Sequence, residues 1–264
     1  MAFDGSSLWV TLYGNNNVVR VQTVDGFLQL ATQTGSYPAA VAFDGKYIWV
    51  ANYGSNTVSR YRIDAPDAPF VGTINVGLQP MALAYDGKYM WVANSKDGTL
   101  TRIDPETGTP STIVTGLTNP HGLSFDGTYL WVANAGNNTI TRINPVDGSN
   151  QGGCQVGTYP TALAFDGTHI WVANFNSNTV SKVRASDQNL VVEGTFNVGT
   201  GPAAVAFDGT YIWVANNISN NVTKLQTDGT LIGTYDTGLG PHGLAFDGAN
   251  MWVANYGSDS LSKR

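Results

Sequence analysis

The sequence predicts an all-β fold assembled from copies of one unit, and three observations carry that expectation. All seven tryptophans (Trp9, Trp49, Trp91, Trp131, Trp171, Trp213 and Trp252) stand at the same place in one recurring phrase, plainest as AFDGKYIWVAN at residues 42–52, and they follow one another at intervals of 39 to 42 residues. A fixed period near forty marks stacked copies of a supersecondary unit that cannot bury its apolar face alone. Each period also carries the signals of four short strands, and no apolar pattern at helical spacing persists anywhere. Four antiparallel strands per period, repeated radially, are what a β-propeller blade requires, so the expected fold is a seven-bladed β-propeller. It is expected to form a single domain over residues 1–264, with blades starting near 1, 38, 80, 120, 160, 202 and 241.

One full copy runs from about Pro38 to Leu78. It opens with PAAVAFDG, a strand of small and apolar residues that ends in Asp-Gly. Asp-Gly between two apolar runs is a strong hairpin signal, because glycine accepts the positive φ of the turn. In the second strand, KYIWVAN, residues Tyr47, Trp49 and Ala51 alternate with Ile48 and Val50, and both faces are apolar. That suits a strand buried between two neighbouring sheets. A polar loop, YGSNT, leads into a third strand, TVSRYRI; a turn around Asp64-Ala65-Pro66 and a fourth strand, FVGTINVG, complete the copy. The small residues of the first strand let seven such strands converge on an axis, and the tryptophans fill the wedge between blades.

The fourth strand appears only six times, near Phe27–Ala31, Phe70–Asn75, Thr112–Thr115, Gln155–Gly157, Val192–Val198 and Leu231–Asp236. The chain stops at the end of a third strand, and it opens in mid-phrase, with Met1–Gly5 aligned on Val41–Gly45. The last blade is therefore expected to lack its outer strand here. Two expectations follow: a longer natural chain that supplies the strand, or an open edge used to pair with another chain.

Composition narrows the function classes. A net charge of −6 with 13 Lys and Arg leaves no basic stripe for phosphates, which argues against nucleic acid as a partner. No apolar run approaches the roughly 18 residues needed to cross a bilayer, so membrane insertion is not expected. Cys154 is the only cysteine, which rules out an intrachain disulfide, and in the Gly-rich segment QGGCQVG it has no catalytic company. No signal-peptide pattern precedes the first repeat, but a chain that opens in mid-phrase gives that absence little weight. A composition rich in Asn, Thr, Ser and Gly and poor in Lys and Glu suggests an exported protein, extracellular or periplasmic.

The stretch from AFDG through WVAN to NTVSR, with a proline before the first strand, resembles the YVTN/NHL-type bacterial propellers. Asn52-Tyr53-Gly54-Ser55-Asn56-Thr57-Val58 and Asn174-Phe175-Asn176-Ser177-Asn178-Thr179-Val180 carry the likeness best. The resemblance implies a binding or scaffold module, often exported. Pro241-His242-Gly243-Leu244-Ala245-Phe246-Asp247-Gly248 and Pro120-His121-Gly122 are also similar to virginiamycin B lyase-like propellers, an enzyme branch that implies metal-assisted opening of a cyclic depsipeptide.

Chemistry is sought where the copies differ. The position after the proline reads Ala39, Met81, His121, Thr161, Ala203 and His242. In a seven-bladed ring this puts His121 and His242 across a channel mouth, where imidazole serves as base, metal ligand or polar contact. The lyase branch draws its histidines from neighbouring blades with a glutamate close by. Here the blades are not adjacent, Gly240 precedes Pro241, and the only glutamates are Glu106 and Glu193, so a general base would lack its acidic partner. His169, which replaces a tyrosine, reads as structural. So do the Asp-Gly aspartates (Asp4, Asp44, Asp86, Asp126, Asp166, Asp208 and Asp247), since a calcium loop needs several oxygen ligands within about a dozen residues. Asn52, Asn94, Asn134, Asn174, Asn216 and Asn255 end the second strands and are expected to satisfy loop amides. Tyr13, Tyr53, Phe175 and Tyr256 lie beside these loops, where they can stack on sugar rings.

The expected function is a non-catalytic, exported module binding a protein or carbohydrate ligand, with His121, His242, Met81, Thr161, Tyr53, Phe175 and Tyr256 as binding candidates. No cofactor is expected. The alternatives are a lyase-like enzyme using His121 and His242, to which alone a divalent metal belongs, and an assembly module that pairs through the edge of blade seven.

Overall fold

The computed structural model describes residues 1–64, 70–186 and 189–264, so most of the turn expected at Asp64-Ala65-Pro66 lies outside the described residues. Seven antiparallel sheets follow one another along the chain, six of four strands and a last one of three, and within each sheet the strands lie in chain order. Sheet 2 shows the plan: Pro38–Phe43, Tyr47–Asn52, Thr57–Arg62 and Phe70–Asn75. The one helical element among the described residues is a 3₁₀ turn at Tyr13–Asn15, and no helix is long and apolar enough to cross a membrane. The last sheet consists of Pro241–Phe246, Met251–Asn255 and Ser260–Lys263, with the third strand paired on one side, as the strand count anticipates.

By compactness the chain divides into two units, Met1–Leu123 and Ser124–Arg264. In the first unit, Trp9 of sheet 1 packs with Val41, Ile48 and Val50 of sheet 2, and Trp49 of sheet 2 packs with Met90, Val92 and Ile103 of sheet 3. The second unit repeats the arrangement: Trp131 meets Leu163 and Ile170, Trp171 meets Val205 and Ile212, and Trp213 meets Met251 and Val253. The second strands of sheets 2, 5 and 6 thus present one apolar face to the preceding sheet and the other to the following one, as the alternation in KYIWVAN predicts. The tryptophans are the wedges, each exposed by no more than 6%.

A wedge of indole needs its N–H satisfied and its face covered, and every copy does both with the same residues. The Oδ1 of each Asp-Gly aspartate accepts the backbone N–H groups two and three residues on, as Asp44 does from Lys46 and Tyr47 at 2.8 and 2.6 Å. Its Oδ2 accepts the indole N–H five residues on, at 2.7 Å in all seven copies. A cation from the third strand, directly opposite the tryptophan in register, lies over the indole at 4.6 to 5.8 Å: Arg20, Arg60, Arg102, Arg142, Lys182, Lys224 and Lys263. Such a contact contributes about 0.5–2 kcal/mol depending on desolvation. The aspartates are therefore structural, as expected, with both carboxylate oxygens engaged.

Three expectations need correction. The fourth strand of sheet 4 is Asn150–Gln155, not 155–157, that of sheet 3 starts at Pro110, and that of sheet 1 is Leu28–Gln33. These strands are partly exposed and polar, so backbone pairing sets their bounds rather than an apolar run: Ile140 faces Cys154 in register. Cys154 accordingly lies within a strand, where burial pushes its thiol up to about 11. The asparagines that end the second strands do not serve loop amides. Their Nδ2 groups donate to side-chain oxygens five and seven residues on, as Asn52 does to Thr57 at 3.1 Å and Ser59 at 2.9 Å. A different asparagine serves the amides: Asn16, Asn56, Asn138, Asn178 and Asn220, each with positive φ, accept from the N–H of Tyr37, Gln79, Tyr159, Gly201 and Gly240 at 2.8–2.9 Å. Asn and Gly tolerate that left-handed geometry, which is why the phrase reads SNT or NNT at this point.

Candidate functional site

Met81, Thr161 and His242 follow the prolines that open their strands, and each is the extra residue of a β-bulge. The partner residues step from Pro80 to Ala82, from Pro160 to Ala162 and from Pro241 to Gly243 opposite consecutive residues of the second strand. A bulge re-aims the side chain it carries. Thr161 spends its hydroxyl on structure, sharing its one hydrogen between the carbonyls of Ala173 at 3.3 Å and Pro202 at 3.2 Å, so it ties sheet 5 to sheet 6. Met81 and His121 are half-buried, and His242 is exposed. Crowding by protein nevertheless disfavours the imidazolium of His242 and lowers its pKa below 6.5. His121 lies in the first unit and His242 in the second. Among the described residues, no three His, Cys, Asp or Glu side chains are grouped to hold a metal ion.

His169 sits away from these positions, on the second strand of sheet 5. Its Nε2 is 3.0 Å from Glu193 Oε2, and Arg184 donates to the other oxygen of Glu193 at 2.6 Å. This cross-strand cluster supports the structural reading of His169, and the two basic partners hold the Glu193 carboxyl below its ordinary value, Arg184 foremost.

The strongest constellation lies in the first unit, where sheets 1, 2 and 3 bring their loops together. Tyr53, the residue after Asn52, donates its backbone N–H to the carbonyl of Tyr37 at 3.0 Å. Tyr37 precedes Pro38 and holds a left-handed φ of 54°. That conformation costs energy in a bulky residue, more so before a proline. It persists because Asn16 Oδ1 and the Tyr53 amide hold the Tyr37 backbone from both sides. Its ring lies 5.1 Å from that of Tyr13, which in turn lies 6.4 Å from Tyr53. Tyr37 is 49% exposed, so three rings line one open surface.

Beside the rings is a shallow cavity of about 220 Å³, lined by Tyr37, Tyr53, Asn56, Leu78, Gln79 and Lys96 over the backbone of Gly54. Gly54 has to be glycine there, because a Cβ would run into the Tyr37 ring. Gln79 repeats the Tyr37 conformation, at φ 57°, with its N–H held by Asn56 Oδ1. The second unit has a smaller version, in which Tyr159 (φ 58°) and Phe175 meet edge to face at 6.3 Å. Tyr256 holds the same place in sheet 7, 64% exposed, but its backbone partner is Gly240, which supplies no second ring.

Of the residues singled out from sequence, the structure thus joins Tyr13 and Tyr53 into one surface and leaves Phe175, Tyr256, Met81, Thr161 and the histidines in separate places within their sheets. It adds Tyr37, Gln79 and Lys96. The signal for Tyr37 was present: the two copies that read Tyr-Pro before the first strand, Tyr37-Pro38 and Tyr159-Pro160, both carry an aromatic after the asparagine, Tyr53 and Phe175.

Comparison with known proteins bears on the fold. A family model described as "Lactonase, 7-bladed beta-propeller" matches residues 6–125, less than half of the chain. Hydrazine synthase of Kuenenia stuttgartiensis is similar over 100% of this chain and 94% of that chain, with a TM-score of 0.86 at 21% identity. Virginiamycin B lyase of Staphylococcus aureus, in a catalytically inactive His-to-Ala form with quinupristin, is similar over 100% and 92%, with a TM-score of 0.84 at 18% identity. A Lactobacillus plantarum protein matches over 94% and 86%, with a TM-score of 0.79 at 20% identity. The chain is a seven-bladed β-propeller. No curated protein matches it in sequence. At these identities the likeness speaks for the propeller fold alone, since this fold hosts unrelated functions and function has to be argued from the site.

Proposed function

We propose that this propeller is an exported, non-catalytic module that binds carbohydrate on the aromatic surface of Tyr13, Tyr37 and Tyr53. The observation that carries the reading is Tyr37, a bulky residue held in a left-handed conformation before a proline, with its ring kept on the surface. Strain that the surroundings over-determine concentrates at binding sites. Flat rings beside amide groups suit a sugar, which offers an apolar face and a rim of hydroxyls, and Asn56 and Gln79 supply the amides. On a glycan array the propeller is expected to retain a defined set of glycans, and Tyr53→Ala to weaken them at least tenfold, about 1.4 kcal/mol. An array without binders, or binding indifferent to Tyr53→Ala, overturns the reading.

One observation favours a second reading, an enzyme resembling the lyases. His242 is solvent-accessible and its lowered pKa favours the neutral form, the state a general base needs. This reading pairs it with His121 and requires the divalent metal that the lyase resemblance implies. Turnover of a cyclic depsipeptide that disappears in both His121→Ala and His242→Ala would establish it. Self-association through the outer strand of sheet 7, Ser260–Lys263, is a third reading, and light scattering that finds a monomer disposes of it.

A further inference from the structure

The geometry points to an acidic sugar, one whose terminal residue carries a carboxylate, as the ligand of the Tyr37–Tyr53 cavity, with Lys96 as the group that reads the charge. This rests on the carbohydrate reading above and deepens it. The argument begins with the fate of the cations. The chain has 13 Lys and Arg residues, and seven of them cover the tryptophans. Lys46 pairs with Glu106, Arg62 with Asp64 and Arg184 with Glu193, while Lys88 lies over Tyr89 and Arg264 donates to the Asp236 carbonyl. Among the described residues, that leaves Lys96 as the cation whose charged group has no carboxylate, carbonyl or aromatic partner.

Lys96 is exposed and lines the same cavity as the tyrosines. It occupies the place that Gly54 holds one sheet earlier, where the cavity floor needs a glycine. Its backbone is fixed, with its N–H on the Leu78 carbonyl at 3.3 Å. The neighbouring acid, Asp97, forms no ion pair with it; its Oδ2 instead accepts the Leu78 N–H at 2.6 Å. The ring wall and the ammonium therefore bound one recess. At about 220 Å³ that recess is smaller than the roughly 300 Å³ at which ordinary ligand pockets begin, which suits a single terminal residue. A ring stacked on Tyr37 and Tyr53 would bring a carboxylate at its edge to the Lys96 ammonium, with the Gln79 and Asn56 amides left for hydroxyls. A charge-assisted hydrogen bond of this kind is stronger than a neutral one and weakens with salt.

The test uses the whole chain and glycans ending in glucuronate, galacturonate or sialate, each beside the same glycan with its carboxyl reduced to the alcohol. At least one acidic glycan is expected to bind about fivefold or more tightly than its reduced partner. Lys96→Gln is expected to erase that ratio, and added salt to shrink it in the wild type alone. Equal binding of every pair, or a ratio that survives Lys96→Gln, overturns the charge assignment and leaves the carbohydrate reading standing. Failure of all these glycans and of neutral ones to bind overturns both.

Discussion

The indole N–H of Trp49 donates to Asp44 Oδ2 at 2.7 Å, while Oδ1 of the same carboxylate holds the N–H groups of Lys46 and Tyr47. One side chain thus closes the hairpin turn and locks the wedge that joins sheet 2 to sheet 3. Removing it leaves the Trp49 indole N–H and the half-buried Tyr47 amide without acceptors, while the exposed Lys46 amide can turn to water. Each unsatisfied buried donor costs about 1–3 kcal/mol, so Asp44→Ala is expected to lower the unfolding free energy by about 2–4 kcal/mol in urea denaturation. Asp44→Asn, which keeps an acceptor and loses the charge, should cost about half of that. The same motif predicts acid sensitivity. At Asp4 and Asp247 burial alone would raise the carboxyl pKa, but the indole and amide donors outweigh it and hold both below 3.8. A carboxylate lowered on folding contributes stability above its unfolded value and loses it as pH falls through the folded one. Unfolding free energy should therefore decline below about pH 4, and Asp4→Asn should flatten that decline.

Arg142 is the cation of sheet 4 and lies over both Tyr129 and Trp131. It is only 7% exposed and donates to the carbonyls of Ala185 and Gln151, each at 3.2 Å. Its planar fork reaches two acceptors, which a lysine ammonium at the end of a single stem does not reproduce. Arg142→Lys is expected to cost about 1–2 kcal/mol. Lys182→Arg, at the corresponding place in sheet 5, is expected to change stability by less than about 0.5 kcal/mol. Equal losses from both exchanges in thermal or urea denaturation would mean that the cation's charge matters and its shape does not.

Cys154 tests the corrected strand assignment. The thiolate is the reactive form, and burial raises this thiol from 9.0 to about 11. At pH 8 the thiolate fraction is then about a hundredfold below that of an exposed cysteine, and alkylation by iodoacetamide should be slower by about that factor. Alkylation at the rate of a free thiol would place Cys154 in an open loop, as its Gly-rich neighbourhood suggests from sequence alone.

The parts legible in the sequence are those fixed by period and by alternation. Forty-residue spacing gave the sheets, and the two apolar faces of KYIWVAN gave the packing of Ile48 toward sheet 1 and Trp49 toward sheet 3. The cations opposite the tryptophans were visible in the phrase but not in their role, because cross-strand register joins Trp49 to Arg60 only once the third strand is placed. The binding surface was half legible. Tyr13 and Tyr53 follow strand ends and read as exposed rings. Tyr37 was hidden by the rule that a residue before proline avoids helical backbone, a rule that Asn16 overrides by gripping its amide. The fourth strands were the least legible, since partly exposed strands carry little apolar pattern.

Tyr37 separates binding from stability within one residue. Gly201 and Gly240 occupy its place in the last two sheets, at φ 67° and 63°, so the backbone there accepts glycine as it stands. Tyr37→Gly removes the strain of a bulky left-handed residue, which is of order 1–3 kcal/mol. It also gives up the 5.1 Å contact with Tyr13 and the lower unfolded-state entropy of a non-glycine residue. These terms oppose one another, and the variant is expected to unfold within about 1 kcal/mol of the wild type. The binding surface loses its most exposed ring in the same step, so affinity for any glycan retained by the wild type should fall at least tenfold. A stable Tyr37→Gly that binds as well as the wild type would remove the strained tyrosine from the site. A variant that loses several kcal/mol would show that the ring is held there for packing. Parallel urea denaturation and glycan binding distinguish these outcomes.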